Sequence, residues 1–467
     1  MCDIYSKSYL TIAASRAPNP IPGFLFPRDE WQVGYHLQDI PGTMVRSQMH
    51  SRVDEENPLN LRAWTLQEMV LSGRVLSYAT KDTAWRCLTE TTCECGSGGF
   101  DSSGADNMVG NSIGPIPVED DGNSKDDGSS EDDGNSEDDG SSEIDSRSRL
   151  PHYWRKLVGK YTSRSITKDS DRLPALSGIA EKFKSNKRGR YLAGIWENDL
   201  PYALAWSTYE GKMPETYIAP SWSWASVTGE ATYETWLRSS KEYPETVDYP
   251  SQWCQLVECG TTPVWNDTAE VTEGYLKVYG QIIMAELEMT SSSPPEYNLN
   301  WSRKWGGPRD EIDEVEGEIS IDTPLRYFTY STDSANSKIP TMKTFCRSST
   351  PSVEATEDSL PPGGSSFGNV MLLLIKPQKT GKRRLNAYYL ILVPSTKVEN
   401  AYERIGLFSG FLPGGSWAWA EIWSKEERVE EVSTNREERL SYFKEKLSPD
   451  NFEWCRFLPH WRNITII

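Results

Sequence analysis

Arg62, Trp64, Gln67 and Glu68 fall within one seven-residue window and form the one set here that could do chemistry. They offer a guanidinium, an indole, an amide and a carboxylate. One carboxylate without partners is not an active site. The same residues also have a folding interpretation, in which Trp64 is core, Arg62 pairs with Glu68 across a helix start, and Gln67 is solvated. Cys87, Cys93 and Cys95, with Glu94 among them, invite zinc. A structural zinc site takes four ligands, usually from two Cys-x2–4-Cys knuckles or a Cys/His pair. No second knuckle lies nearby and His36, His50, His152 and His460 are isolated, so structural or surface thiols are expected and no metal is assigned. No Gly-x-Gly-x-x-Gly or Walker-type loop appears, and no cofactor is assigned. Ser-His-Asp and Cys-His catalysis have no local signature.

The elements that must position the four residues can be read around them. Leu66, Met69 and Val70 recur at helical spacing, with Gln67 and Glu68 off that face. Gly73 suits a left-handed helix stop. Val75, Ser77 and Ala79 alternate with Leu76 and Tyr78, which predicts a strand, and 83–88 should pair with it as a hairpin. Upstream, 1–10 reads as a helix end and 11–14 as a short apolar strand. Downstream, 152–163 and 173–185 read as helices, the second with Ser170 or Asp171 as N-cap and Pro174 in its first turn. A short helix is expected at 197–206. A strand is expected at 221–227, with Trp222 and Trp224 on one face.

Beyond residue 230 the pattern turns to β. Apolar runs of strand length lie at 253–258, 275–289, 369–376, 387–394, 405–411 and 417–422, separated by Pro- and Gly-rich turns. A polar excursion near 310–361 is expected to be partly disordered, 428–446 reads as a charged helix, and 463–467 as a terminal strand or tail. The expected layout is thus 1–95, an insert at 96–148, a helical segment with the Trp-rich strand at 149–229, and a β-rich region at 230–467, of mixed α+β or α/β class.

Composition limits the function classes. The 467 residues carry a net charge of −19, but residues 119–145 alone hold thirteen acidic residues and one lysine. That stretch accounts for −12, so the remainder is ordinary. Four consecutive six-residue units of the DDGNSK type fill 120–143. Such a segment buries too little apolar surface to offset its ordering entropy, which predicts a disordered insert. A period of six without apolar anchors argues against a calcium-binding repeat. An acidic balance argues against nucleic-acid binding, which needs Lys and Arg on phosphates. The eight scattered Cys predict reduced thiols, and no apolar run is long enough to span a bilayer, so a soluble cytoplasmic protein is expected.

Arg62-x-Trp64-Thr65-Leu66-Gln67-Glu68, followed by Leu71-Ser72-x-Arg74-Val75-Leu76, resembles the C-terminal signature of the fungal heterokaryon incompatibility (HET) domain. Further blocks agree in order: Ile4-Tyr5, Thr11–Ala14, Trp85-x-Cys87, Asp171–Ala180, Tyr191–Trp196, Ala219–Ser226 and Tyr402–Leu407. The strand-and-turn blocks that open the family's domain have no counterpart, so the resemblance implies the back part of a HET domain, truncated or degenerate. It implies a TIR-like α/β fold for 1–95, with Arg62, Trp64, Gln67, Glu68 and Arg74 as signature residues. It also implies a role in non-self recognition and regulated cell death, with other incompatibility or signalling proteins, or a second copy, as partners. Some TIR domains cleave NAD with a glutamate near a tryptophan. By that likeness Glu68 would be the catalytic carboxylate, stabilising cationic character as the nicotinamide bond breaks, and Trp64 would wall the pocket.

Overall fold

The computed structural model describes residues 1–19, 23–25, 27, 34–45, 57–80, 82–94, 146–184, 189–233, 254–290, 296–302, 312–314, 317–330, 342–347, 355–357, 365–380, 384–395, 397–411 and 460–467. The expected insert lies outside them up to residue 145, as do the runs expected at 417–422 and 428–446. The chain is of mixed α and β class. It forms two compact units, one of Met1–Tyr191 with Thr235–Arg238, the other of Leu192–Glu234 with Ser239–Ile467.

The first unit opens with a five-residue helix, α1 (Cys2–Ser6), and a short strand, β1 (Thr11–Ala13). Helix α2 (Ala63–Leu71) then leads into β2 (Arg74–Tyr78), β3 (Thr83–Cys87) and β4 (Thr91–Cys93). The four strands make one sheet in the order β1-β2-β3-β4. β1 runs parallel to β2, with Ile12 opposite Leu76, and β2 and β3 form the expected hairpin, with Leu76 opposite Trp85. Two longer helices complete the unit, α3 (Ser146–Thr162) and α4 (Pro174–Lys184). Helix α3 starts six residues before the expected 152, so residues 146–148 belong to it and not to the insert. Leu157, Val158 and Tyr161 of α3 and Leu176, Ile179, Ala180 and Phe183 of α4 are buried at the periodicity seen in the sequence. Trp154 meets Phe183 edge-on with ring centroids 5.1 Å apart, a favoured aromatic geometry.

The second unit is built on β strands. It holds a small antiparallel pair, β5 (Trp206–Thr208) with β6 (Ala231–Tyr233). Then follow β7 (Cys254–Pro263), β8 (Val271–Thr290), β9 (Tyr297–Ser302), β10 (Ile312–Glu314) and β11 (Gly317–Ile321). Next come β12 (Arg326–Tyr330), β13 (Met342–Cys346), β14 (Ala355–Glu357), β15 (Ser365–Thr380), β16 (Arg384–Pro394), β17 (Tyr402–Phe411) and β18 (His460–Ile466). The main sheet runs β10-β9-β8-β15-β16-β17-β11, with β7 and β18 also paired to β8. The 20-residue β8 is its spine: its first half pairs with β7 and β18, its second with β9 and β15. Leu287, Leu372, Leu374, Tyr389, Ile391 and Phe408 form the core, which Phe345 of β13 also enters.

Among the described residues of 310–361 lie five strands; β10 and β11 join the main sheet, and β12–β14 form a sheet of their own. Two expectations are corrected here. The helix expected at 197–206 is two single 3-10 turns, Glu197–Asp199 and Tyr202–Leu204, followed by β5. Pro201 holds Leu200 in an extended conformation, which ends any helix there. The strand expected at 221–227 is a turn ending in a 3-10 helix, Trp224–Ser226, because Ser223 Oγ accepts from the Ala225 amide at 3.0 Å and so replaces strand pairing. Both tryptophans are still fully buried. Trp224 Nε1 donates to the Gly194 carbonyl at 2.9 Å. Gly194 has φ +100°, and a Cβ there would lie 2.7 Å from the Trp224 ring, so only glycine fits.

A buried ion pair ties the unit together. Arg404 of β17 and Asp322, just past β11, are both fully buried, with Nε to Oδ2 at 3.0 Å. The same guanidinium donates to the Leu204 carbonyl at 2.5 Å and to the Trp206 carbonyl, and lies 3.5 Å from the centre of the Trp206 ring. Arg347 donates to the carbonyls of Ser221 and Arg404, and Arg404 N–H to Ser221 Oγ. Ser221 also bonds the Ile467 carbonyl, so the last strand is anchored to the same network. Removing one member of such a pair leaves a charge buried without compensation. We therefore expect Asp322→Ala to lower the stability of this unit by about 3–5 kcal/mol in urea denaturation. A loss below about 1 kcal/mol would show that the pair is not structural.

Candidate functional site

Helix α2 begins where a 3-10 turn, Pro58–Leu61, delivers Arg62 in an extended conformation. Thr65 Oγ1 donates to the carbonyls of Leu59 (2.8 Å) and Arg62 (2.7 Å), which locks the first turn. Ala63, Leu66, Val70 and Leu71 face the core. The stop is not the one expected. Gly73 is not left-handed; instead Ser72 turns extended, and its hydroxyl donates back to the Glu68 carbonyl at 2.7 Å. Underneath, the Arg86 guanidinium on β3 donates to the Met69 carbonyl; burial holds that guanidinium below its ordinary pKa.

Gln67 departs furthest from expectation. It is not solvated but 1% exposed. Its Oε1 accepts from the Gly178 amide of α4 at 2.7 Å, across 111 residues of chain. A Cβ on Gly178 would stand 2.6 Å from that oxygen and 3.1 Å from Cys2 Cβ, so glycine is what lets the two helices come this close. Trp64 makes a parallel contact, its Nε1 donating to Asp171 Oδ2 at 3.1 Å. Ser170 or Asp171 is the cap expected for α4; the Asp171 carboxylate accepts from the Trp64 indole, at the end of the 3-10 turn Asp169–Asp171. Pro174 does open α4.

Glu68 is half-buried on the next position of the helix, and α1 lies against it. Burial holds the Tyr5 phenol above its ordinary pKa, and the negative charge of Glu68 adds to that. Cys2 Sγ lies 3.3 Å from the Gly178 carbonyl. A chain of hydroxyls links the same elements: Ser8 Oγ donates to the Tyr5 carbonyl and meets Thr11 Oγ1, which lies 2.8 Å from Ser72 Oγ. Arg62 is exposed, and among the described residues no ion pair joins it to Glu68. Arg74 is also exposed, its guanidinium 5.0 Å from the centre of the Tyr9 ring.

Gln67, Trp64 and Glu68 are therefore brought to one face shared by α1, α2 and α4, whereas Arg62 and Arg74 stand outside it. Tyr5, Gly178 and Ser72 entered the sequence reading only as members of the resemblance blocks, with no role of their own. Among the described residues no cluster of three or more His, Cys, Asp or Glu could hold a metal, and no helix is long and apolar enough to cross a membrane. Cys93 is disulfide-bonded, which corrects the expectation of reduced thiols throughout. No protein-family model, no curated protein and no solved structure matches the chain.

The Gln67–Gly178 contact makes a signed prediction. Alanine in place of a helical glycine gains about 1 kcal/mol from propensity, but overpacking costs about 1–3 kcal/mol. In the parent, Gly178→Ala must displace Gln67 and break its bond, so it should destabilise. With Gln67→Ala already present, the same change should stabilise by up to about 1 kcal/mol. Thermal or urea unfolding of the four variants gives the cycle; equal effects in both backgrounds would show that the two residues do not interact.

Proposed function

We propose that this chain is a HET-type protein of fungal non-self recognition, acting in the cytoplasm to trigger regulated cell death through other incompatibility or signalling proteins. In this reading the TIR-like unit is a folded signalling module, not a catalyst. The observation that supports it is the Gln67–Gly178 bond, with Trp64–Asp171 beside it. Two sequence blocks that carry the resemblance, far apart in the chain, meet side chain to backbone in one unit. The same observation weighs against NAD cleavage, because the groups that would surround a substrate already have partners within the fold. Gln67 is held by α4 and the Trp64 indole by Asp171.

Glu68→Gln separates signalling from catalysis, since the amide keeps the shape and loses the charge. Purified chain incubated with NAD is expected to release no nicotinamide above buffer. Over-expression in a fungal host is expected to reduce viability, equally for parent and Glu68→Gln. Full viability on over-expression of the parent would overturn the cell-death reading. Nicotinamide release by the parent that Glu68→Gln abolishes, in a stably folded variant, would overturn the non-catalytic one.

A further inference from the structure

Helix α3 carries charge of one sign only. Trp154, Leu157, Val158 and Tyr161 form its buried side. On the opposite side His152, Lys156 and Lys160 follow one another at four-residue steps, each only partly buried. Just beyond the helix Lys168 is exposed. Arg155 is buried, and Arg164 bonds Thr65 Oγ1 at 3.1 Å, so neither belongs to this surface. From 146 to 168 the chain holds seven Lys and Arg and no Asp or Glu. Two costs follow. Like charges four residues apart, as in Lys156 and Lys160, destabilise a helix. Basic residues in its first turn, Arg147 and Arg149, oppose the helix dipole, which favours carboxylates there. The helix has no acidic residue of its own to offset either cost.

The opposite charge adjoins this helix in the chain. Residues 119–145 end where α3 begins, and they hold thirteen acidic residues and one lysine. We infer that the basic face of α3 is a docking surface for an acidic segment, and that its occupant is the chain's own tract 119–145. Charge complementarity selects this occupant. The tract repeats an Asp pair every six residues from Asp120 to Asp139, so many carboxylates can serve the same lysines. Attraction between opposite charges requires no single register. Covalent linkage also sets a high effective concentration, which a tract on a second copy lacks. Another acidic partner reaches Lys156 and Lys160 only by displacing the tract. The inference is independent of the proposed function.

The full chain at low salt would be treated with a water-soluble carbodiimide, which joins a lysine amine to a carboxylate in contact with it. The joined peptides are identified by mass spectrometry. Mixing unlabelled and isotope-labelled chain separates joins within a chain from joins between chains. Lys156 and Lys160 are expected to join to 119–145 within one chain, several times more often than the exposed Lys212 and Lys397 do. Raising the salt to about 1 M, where the Debye length is about 3 Å, should remove most of these joins. A second chain, with the thirteen carboxylates of 119–145 changed to amides (Asp→Asn, Glu→Gln), keeps every residue of α3. Acetylation of Lys156 and Lys160 by a soluble acyl ester should run about twofold to fivefold faster in it than in the parent, with Lys212 and Lys397 unchanged. Equal acetylation in the two chains would overturn the docking surface, as would joins spread evenly over the four lysines. Joins formed mostly between chains would overturn the assignment of the occupant, in favour of a second copy.

Discussion

One buried amide fixes the geometry of the first unit. Gln67 has no exposed surface to speak of, and its oxygen must find a donor or leave an acceptor unsatisfied in the core. The Gly178 amide is that donor, and it is within reach only because residue 178 lacks a side chain. The bond therefore sets the distance between α2 and α4 and their register along each other. Trp64 and Asp171 repeat the arrangement seven residues earlier, in the 3-10 turn that precedes α4, so the register is fixed at two points. Apolar packing alone tolerates sliding by a residue or a turn; a pair of directional polar contacts does not.

The second unit uses the same principle at higher stakes. Arg404 and Asp322 bring opposite charges out of water, and a charge pair repays that only when its remaining donors are matched. Here the Leu204 and Trp206 carbonyls and the Trp206 ring take up the rest of the guanidinium. Those partners come from a 3-10 turn and a short strand that have little propensity to hold their shape alone. The arginine is thus what orders the irregular stretch from Leu204 to Trp206 against the sheet. Arg347 and Ser221 extend the network to the final strand.

Much of the secondary structure was legible because it follows local pattern. The β2–β3 hairpin came from alternation, α3 and α4 from three- and four-residue steps, and the long strands of the main sheet from apolar runs. What was not legible depends on distant partners. Gln67 looks like a solvated residue until an amide 111 positions away is placed beside it. Arg404 and Asp322 look like surface charges for the same reason. The strands β12–β14 escaped notice because they are short and lie within a polar stretch of the sequence, with Phe345 as their buried anchor. The Trp222–Trp224 block misled in the opposite way: spacing by two fits a strand, but Ser223 capping its own neighbours favours a turn. At the site, the sequence offers the signature residues only as a set. Their roles divided only in three dimensions, with Gln67 and Trp64 used in packing, Glu68 left half-exposed, and Arg62 and Arg74 at the surface.

The central claim is that the signature helix is locked to α4 through Gln67. The most direct measurement is the hydrogen-exchange rate of the Gly178 amide, resolved by NMR in the folded chain. If the lock holds, this amide exchanges only with global unfolding of its unit, as slowly as the amides of the buried α3 helix. Exchange at the rate of an exposed amide, or in step with α1, would contradict the account.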